Sequence, residues 1–148
     1  LDGLAVGVSA ISTASITVIA LMVAETNVAV VLAALFGACL GFIPYNMNPA
    51  KIFMGDTGSM ALGGVLAAAA ILLKMEFLVA IAGFLYVLEA LSVIIQVAYF
   101  KKTKKRFFKM APIHHHFELC GMKEKNVVYL FWGMTLIFCM LAILIANL

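Results

Sequence analysis

The chain is 148 residues long, 66% hydrophobic and 11% charged, with a formal net charge of +3 and a mean hydropathy of +1.15. Soluble domains run nearer half apolar and a quarter charged, so this composition excludes an ordinary soluble domain, a disordered chain and a nucleic-acid-binding domain. The length suggests one domain, and the apolar excess suggests a bundle of membrane-spanning helices, each needing about 20 apolar residues.

Five apolar segments follow in chain order, at about 4–24, 28–43, 60–73, 77–100 and 127–146. The fourth is long enough to cross a hydrocarbon core of about 30 Å as one unbroken helix at about 1.5 Å per residue. The second and third fall short of that thickness, and their short ends meet at the polar loop 44–59. Either this loop dips below the membrane surface or the helices continue into it. In both cases it is recessed among helices, because irregular backbone at that depth must be buried in protein or line a wet cavity. The chain opens on "LDGLAVG" without an initiator Met or a signal peptide pattern, and is read as a fragment or a piece of a longer polypeptide. Cys39 and Cys139 lie in apolar runs and Cys120 in a polar loop, a spacing that matches neither a disulfide framework nor a zinc site.

Alternation of five spans puts the N-terminus and the loops 44–59 and 101–126 on one side. That side holds Lys51, Lys101, Lys102, Lys104, Lys105, Arg106, Lys109, Lys123 and Lys125, leaving Lys74 alone on the other. This asymmetry assigns the basic side to the cytoplasm, and it would fail if the second and third segments formed a re-entrant pair. The run "KKTKKRFFK" is an orientation signal and can also attract anionic lipid head groups.

Within the loop "YNMNPAKIFMGDTGSMALGG", Pro49 disfavours helix at Asn48, and Thr57 or Ser59 is expected to cap a helix beginning near Met60. Asp56 then sits at a helix N-terminus, where free N–H groups and the helix dipole suit a phosphate. A carboxylate beside a phosphate is useful when a hard cation such as magnesium bridges them; the bland alternative is a capping role. Lys51 could hold a phosphate or mark the interface. Phe53 could stack on a base or sit at the membrane surface. Asn46 and Asn48 fit ligand contact or turn chemistry equally.

The second polar stretch, "MAPIHHHFELCG", sets His114, His115 and His116 beside Glu118. Adjacent side chains diverge too far on a helix to share one metal, whereas histidine suits proton transfer and phosphate contact near neutral pH. Asp2, followed by Gly3, opens the first span on the same side and could cap that helix or bind a ligand. Glu89 and Gln96 lie on one face of the fourth span, where an ionisable residue is a functional candidate by default; a buried hydrogen bond to another span is the alternative.

"NPAKIFMGDTGSMALGG" and "MAPIHHHFE" together resemble the polyprenyl-phosphate N-acetylhexosamine-1-phosphate transferases, and "LDGLA" resembles half of that family's "DGLDGLA" motif. The "PIHHHFE" run resembles the muramoyl-pentapeptide branch in particular. The resemblance covers the whole chain but only about the C-terminal half of the family's fold. It implies an all-α integral membrane protein whose five transmembrane helices form one half of a ten-helix bundle in the bacterial inner membrane, with its active site facing the cytoplasm. It implies transfer of phospho-N-acetylmuramoyl-pentapeptide from its UDP-linked donor to undecaprenyl phosphate, giving lipid I and UMP with Mg2+. Asp56 would bind the metal. Phe53 would lie in the uridine pocket near Asp2, Gly3 and Leu4, while Asn46 and Gln96 line the nucleotide cleft. His115 and His116 would contact the substrate or nucleoside inhibitors that mimic it, with His114 supporting their loop. The partners implied are the two substrates, membrane lipid and the missing N-terminal half, with a homodimer left open and no nucleic acid. The family's upstream aspartate pair and the first aspartate of "DGLDGLA" lie outside this sequence, so the 148 residues are expected to be inactive in isolation. A GlcNAc-1-phosphate transferase of the same family is the nearest alternative. An ion-coupled transporter using Glu89 and Asp56, or a structural membrane subunit, would be a different class.

Overall fold

The computed structural model describes residues 1–148 and is entirely helical. In chain order the helices are α1 (Leu4–Met22), α2 (Thr26–Asn46), α3 (Gly55–Leu73), α4 (Glu76–Ala82), α5 (Phe84–Thr103), α6 (Ile113–Leu119) and α7 (Glu124–Ala146). All but α4 and α6 are long and apolar enough to cross a membrane, and the protein is a multi-pass membrane protein.

Helix α1 is the centre of the bundle and packs mainly against α2 and α7. Its most apolar stretch is 67% buried, against 11% in α5 and 17% in α2, so the other helices carry large apolar faces that this chain leaves uncovered. Small residues let α1 serve as the hub. Ser9, Ser12, Thr13 and Ser15 are buried, and the hydroxyls of Ser12 and Ser15 donate to the carbonyls of Ala82 and Cys139. Within a membrane such small and hydroxylated interfaces permit close approach and interhelical hydrogen bonding. Gly7 is required by contact: a Cβ there would fall 1.9 Å from the indole of Trp132.

Three boundaries differ from the sequence-based expectation. Helix α2 runs on to Asn46 through Pro44. The proline removes one ladder hydrogen bond, but the final turn still closes through Met47 N–H to the Ile43 carbonyl. Helix α3 begins at Gly55, not near Met60, and no side chain caps it: Ser59 Oγ bonds back to the Asp56 carbonyl. The helices therefore continue into the polar loop from both sides, and α2 and α3, at 21 and 19 residues, are not short. The apolar run 77–100 is two helices instead of one. The chain turns at Gly83, and the short α4 packs on α7 while α5 departs from it.

Candidate functional site

The polar end of the bundle is assembled from four separate stretches. The first is a strap formed by residues 47–54, pulled onto the start of α1. Gly3, at φ +78, lies in the left-handed region where glycine is unstrained. Its N–H donates to Asn46 Oδ1 at 3.2 Å, and Asn46 Nδ2 donates to the Ile52 carbonyl at 3.0 Å. The Asp2 carboxylate accepts from Ala50 N–H at 3.0 Å, with Asn48 Nδ2 3.5 Å away. Glu124, at the first turn of α7, closes the ring: Oε1 accepts from Asp2 N–H and Oε2 from Asn48 Nδ2, both at 2.8 Å. Trp132 Nε1 donates to the Gly3 carbonyl. Asp2, Gly3 and Asn46 are thus brought together. Leu4, the first residue of α1, packs beside Val8, Leu85, Val127 and Phe131.

Sequence reasoning missed Glu124 and Trp132. A charge opening a span and an aromatic about two turns inside it read as interface residues, and their partners lie 122 and 129 positions away. The one hint at Glu124 was an acidic residue between Lys123 and Lys125.

The second stretch is the start of α3. Asp56 lies in its first turn, exposed, and its carboxylate makes none of the hydrogen bonds or ion pairs of the structure. An acidic group there is favoured by the helix dipole. No cluster of three His, Cys, Asp or Glu residues capable of holding a metal occurs. Asp56 therefore offers a single hard oxygen donor. That donor set does not make an all-protein cage, but it fits magnesium, which keeps several waters and takes one or two carboxylates plus phosphate oxygens. Phe53 is 72% exposed and borders an apolar cavity of about 340 Å³ with Val6, Phe42 and Leu62.

The third and fourth stretches are α5 and the segment it holds. Gln96 Oε1 accepts from the N–H groups of Phe107 and Phe108 at 3.1 and 2.8 Å, and its Nε2 donates to the Phe108 carbonyl. Ser92 Oγ accepts from Ile113 N–H at 3.1 Å. The histidines lie on α6, whose Ile113 and Phe117 pack into the buried cluster around Val8 and Phe131. The His114 and His115 rings lie against each other, centroids 4.2 Å apart, but the three rings take different partners. His114 Nδ1 lies 3.1 Å from Glu89 Oε2. His115 Nδ1 lies 2.7 Å from Glu118 Oε2. His116 Nδ1 accepts from Lys109 N–H at 3.1 Å.

These partners assign different chemistry to two adjacent rings, by inference from the hydrogen bonds. A carboxylate at Nδ1 holds the proton there and leaves His115 Nε2 as an acceptor. A backbone donor at Nδ1 leaves the proton of neutral His116 on Nε2. One ring can take a proton and its neighbour can donate a hydrogen bond, although within the chain His116 Nε2 already lies 3.7 Å from Cys120 Sγ. No hydrogen bond or ion pair joins Asp56 or Phe53 to the histidine helix; the α3 start and α6 are separate elements at the polar end.

The family model described as glycosyl transferase family 4 matches residues 1–74. Three curated relatives carry the name phospho-N-acetylmuramoyl-pentapeptide-transferase. The protein from Caldicellulosiruptor bescii is 49% identical over 148 residues, covering 100% of this chain and 46% of the relative. That from Desulforamulus reducens is 51% identical over 147 residues, covering 99% and 44%. That from Clostridioides difficile is 53% identical over 145 residues, covering 97% and 45%. The chain spans a little under half the length of these relatives. With the family model covering residues 1–74 and similarity extending through the histidine helix, the chain belongs to glycosyl transferase family 4.

Proposed function

We propose that the full-length protein is a magnesium-dependent phosphoglycosyl transferase of the bacterial inner membrane. It moves phospho-N-acetylmuramoyl-pentapeptide from UDP-N-acetylmuramoyl-pentapeptide to undecaprenyl phosphate, giving lipid I and UMP for peptidoglycan synthesis. The observation that carries this reading is the identity of 49%, 51% and 53%, through nearly the whole chain, with proteins bearing that transferase name. The clustering of basic residues around the polar end supports a cytoplasmic orientation. A nucleotide-linked donor in water and a lipid acceptor in the bilayer explain why the polar residues gather at one end of apolar helices.

Phosphoryl transfer asks a protein for positioning and charge neutralisation more than for covalent chemistry. Bound magnesium would supply charge neutralisation at the donor's phosphates, with Asp56 as its protein ligand. Phe53 offers an exposed ring face to the uracil. Asp2, Gly3, Leu4 and Asn46 set the floor and strap of the nucleotide cleft. Gln96 and His114 hold the histidine segment in place. His116 donates from Nε2 to a phosphate oxygen, and His115 Nε2 is placed to take up a proton or, once protonated, to neutralise negative charge.

The test is a product assay on the full-length protein reconstituted with undecaprenyl phosphate and Mg2+. UDP-N-acetylmuramoyl-pentapeptide should yield UMP and a lipid-linked product, while UDP-GlcNAc yields none. Product from UDP-GlcNAc alone would make the protein a GlcNAc-1-phosphate transferase. Ion flux without nucleotide turnover would point to a transporter.

A further inference from the structure

We infer that Glu89 is a positioning residue for this reaction: from inside α5 its carboxylate fixes His114, and through His114 the rotation of α6, which carries His115 and His116. The inference rests on the functional reading above and adds a residue to it.

Glu89 is the only carboxylate in α5, the helix whose apolar stretch is least buried by this chain, at 11%. Its side chain is nevertheless only 20% exposed and that of His114 only 16%. Both Glu89 carboxylate oxygens and His114 Nδ1 are buried, and none has a well-aligned hydrogen-bond partner. The cationic or neutral group facing the carboxylate is His114 Nδ1 itself, 3.1 Å from Oε2 and off the hydrogen-bond axis. A carboxylate within an apolar helix is costly unless paired. These buried atoms have only one another, so truncating one leaves the other uncompensated.

The rest of α5 shows what the pair is for. Glu89, Ser92 and Gln96 follow an i, i+3, i+7 pattern and so share one helix face. Gln96 holds the backbone of Phe107 and Phe108, Ser92 holds the backbone of Ile113, and Glu89 meets the side chain of His114. The α5 face therefore grips the segment from 107 to 114 at successive points running antiparallel to it. Two of the contacts are to backbone and fix where the segment lies. Only the third of these α5 contacts is to a side chain on α6, so together with the packing of Ile113 and Phe117 it sets how α6 is turned about its own axis. Adjacent helical residues diverge by about 100°, so a modest rotation re-aims both His115 and His116.

The test uses the full-length protein with two readouts. Cys120 is exposed immediately after α6, and its maleimide labelling, read by peptide mass spectrometry, reports the ordering of that helix without requiring activity. Glu89→Ala should speed this labelling about threefold or more and lower kcat/KM about tenfold or more, whereas Glu89→Gln, which keeps an acceptor oxygen, should lie much nearer wild type on both. His114→Phe breaks the same contact from the other side. It should accelerate labelling equally and serves as the variant where Glu89→Ala does not fold. The double variant Glu89→Ala/His114→Phe should be no worse than the poorer single one, because the two residues act as one unit. Unchanged labelling in every variant overturns the inference. So does lost turnover with unchanged labelling, which would make Glu89 a participant in the chemistry. If the wild-type protein makes no lipid product, the functional reading fails while the labelling comparison still decides the anchoring role.

Discussion

The two aspartates at the polar end, Asp2 and Asp56, have the same side chain in opposite circumstances. Asp2 is half-buried, its carboxylate accepts from Ala50 N–H, and its own N–H is held by Glu124. Asp56 is exposed on the first turn of α3 and its carboxylate makes no hydrogen bond or ion pair within the chain. A carboxylate already committed to a donor of its own chain shapes the fold around it. One left free beside a helix N-terminus is available to a ligand or a cation. The difference divides the site into a fixed strap and an open binding edge, and substitutions in the full-length protein should separate the two.

The largest effect falls on the open edge. Asp56→Ala should lower lipid-product formation by about 10³-fold, or about 4 kcal/mol in the barrier, while folding stability changes by no more than about 1 kcal/mol, the worth of one dipole contact. Turnover at the wild-type rate from a folded variant would remove Asp56 from metal binding. Next comes the strap. Asp2→Ala leaves Ala50 N–H without its acceptor, and an orphaned donor costs about 1–3 kcal/mol. Denaturation should register that loss together with reduced turnover; unchanged stability would mean the strap does not depend on Asp2. Phe53→Ala comes third. Loss of base stacking should raise KM for the UDP donor about tenfold with kcat little changed, given about 1–3 kcal/mol per stacked base. Stability should hold, because Phe53 is 72% exposed. Smallest is Ser92→Ala, which removes one hydrogen bond to Ile113 N–H, worth about 0.5–1.5 kcal/mol. It should lower turnover only a few-fold, and a loss as large as that of Asp56→Ala would mean α5 does more than hold the histidine segment.

The membrane class and the five spanning regions were readable because hydropathy integrates over many residues. The breaks were harder to read. Gly83 sits in a stretch, 77–88, without a charged residue, and the packing of α4 on α7 separates that helix from α5. Pro44 and the glycines of "MGDTGS" looked like terminators, yet α2 and α3 pass through or begin at them. Gly55 sits at φ +65, in the left-handed region that glycine enters without strain, so it opens α3 where the loop turns into the helix. Histidine triplets do not announce their backbone, and α6 forms because Ile113 and Phe117, one turn apart, find apolar partners. Among the site residues, the types and spacing of Asp56, Phe53 and the histidines were visible locally. The use of Asn46 and Gln96 as clamps on the chain's own loops was not, and neither was the Asp2–Asn48–Glu124 ring, which joins residues as far as 122 positions apart.

The division between a committed and a free carboxylate is tested most directly by ligand-linked stabilisation, which needs no turnover. Thermal unfolding of the full-length protein with the UDP-linked donor is followed as Mg2+ is added, for wild type, Asp2→Asn and Asp56→Asn. A ligand that binds only the folded state raises the midpoint in proportion to RT ln(1 + [L]/Kd). The account predicts a magnesium-dependent rise in wild type, a rise retained from a lower starting midpoint in Asp2→Asn, and none in Asp56→Asn. An equal rise in Asp56→Asn would contradict it.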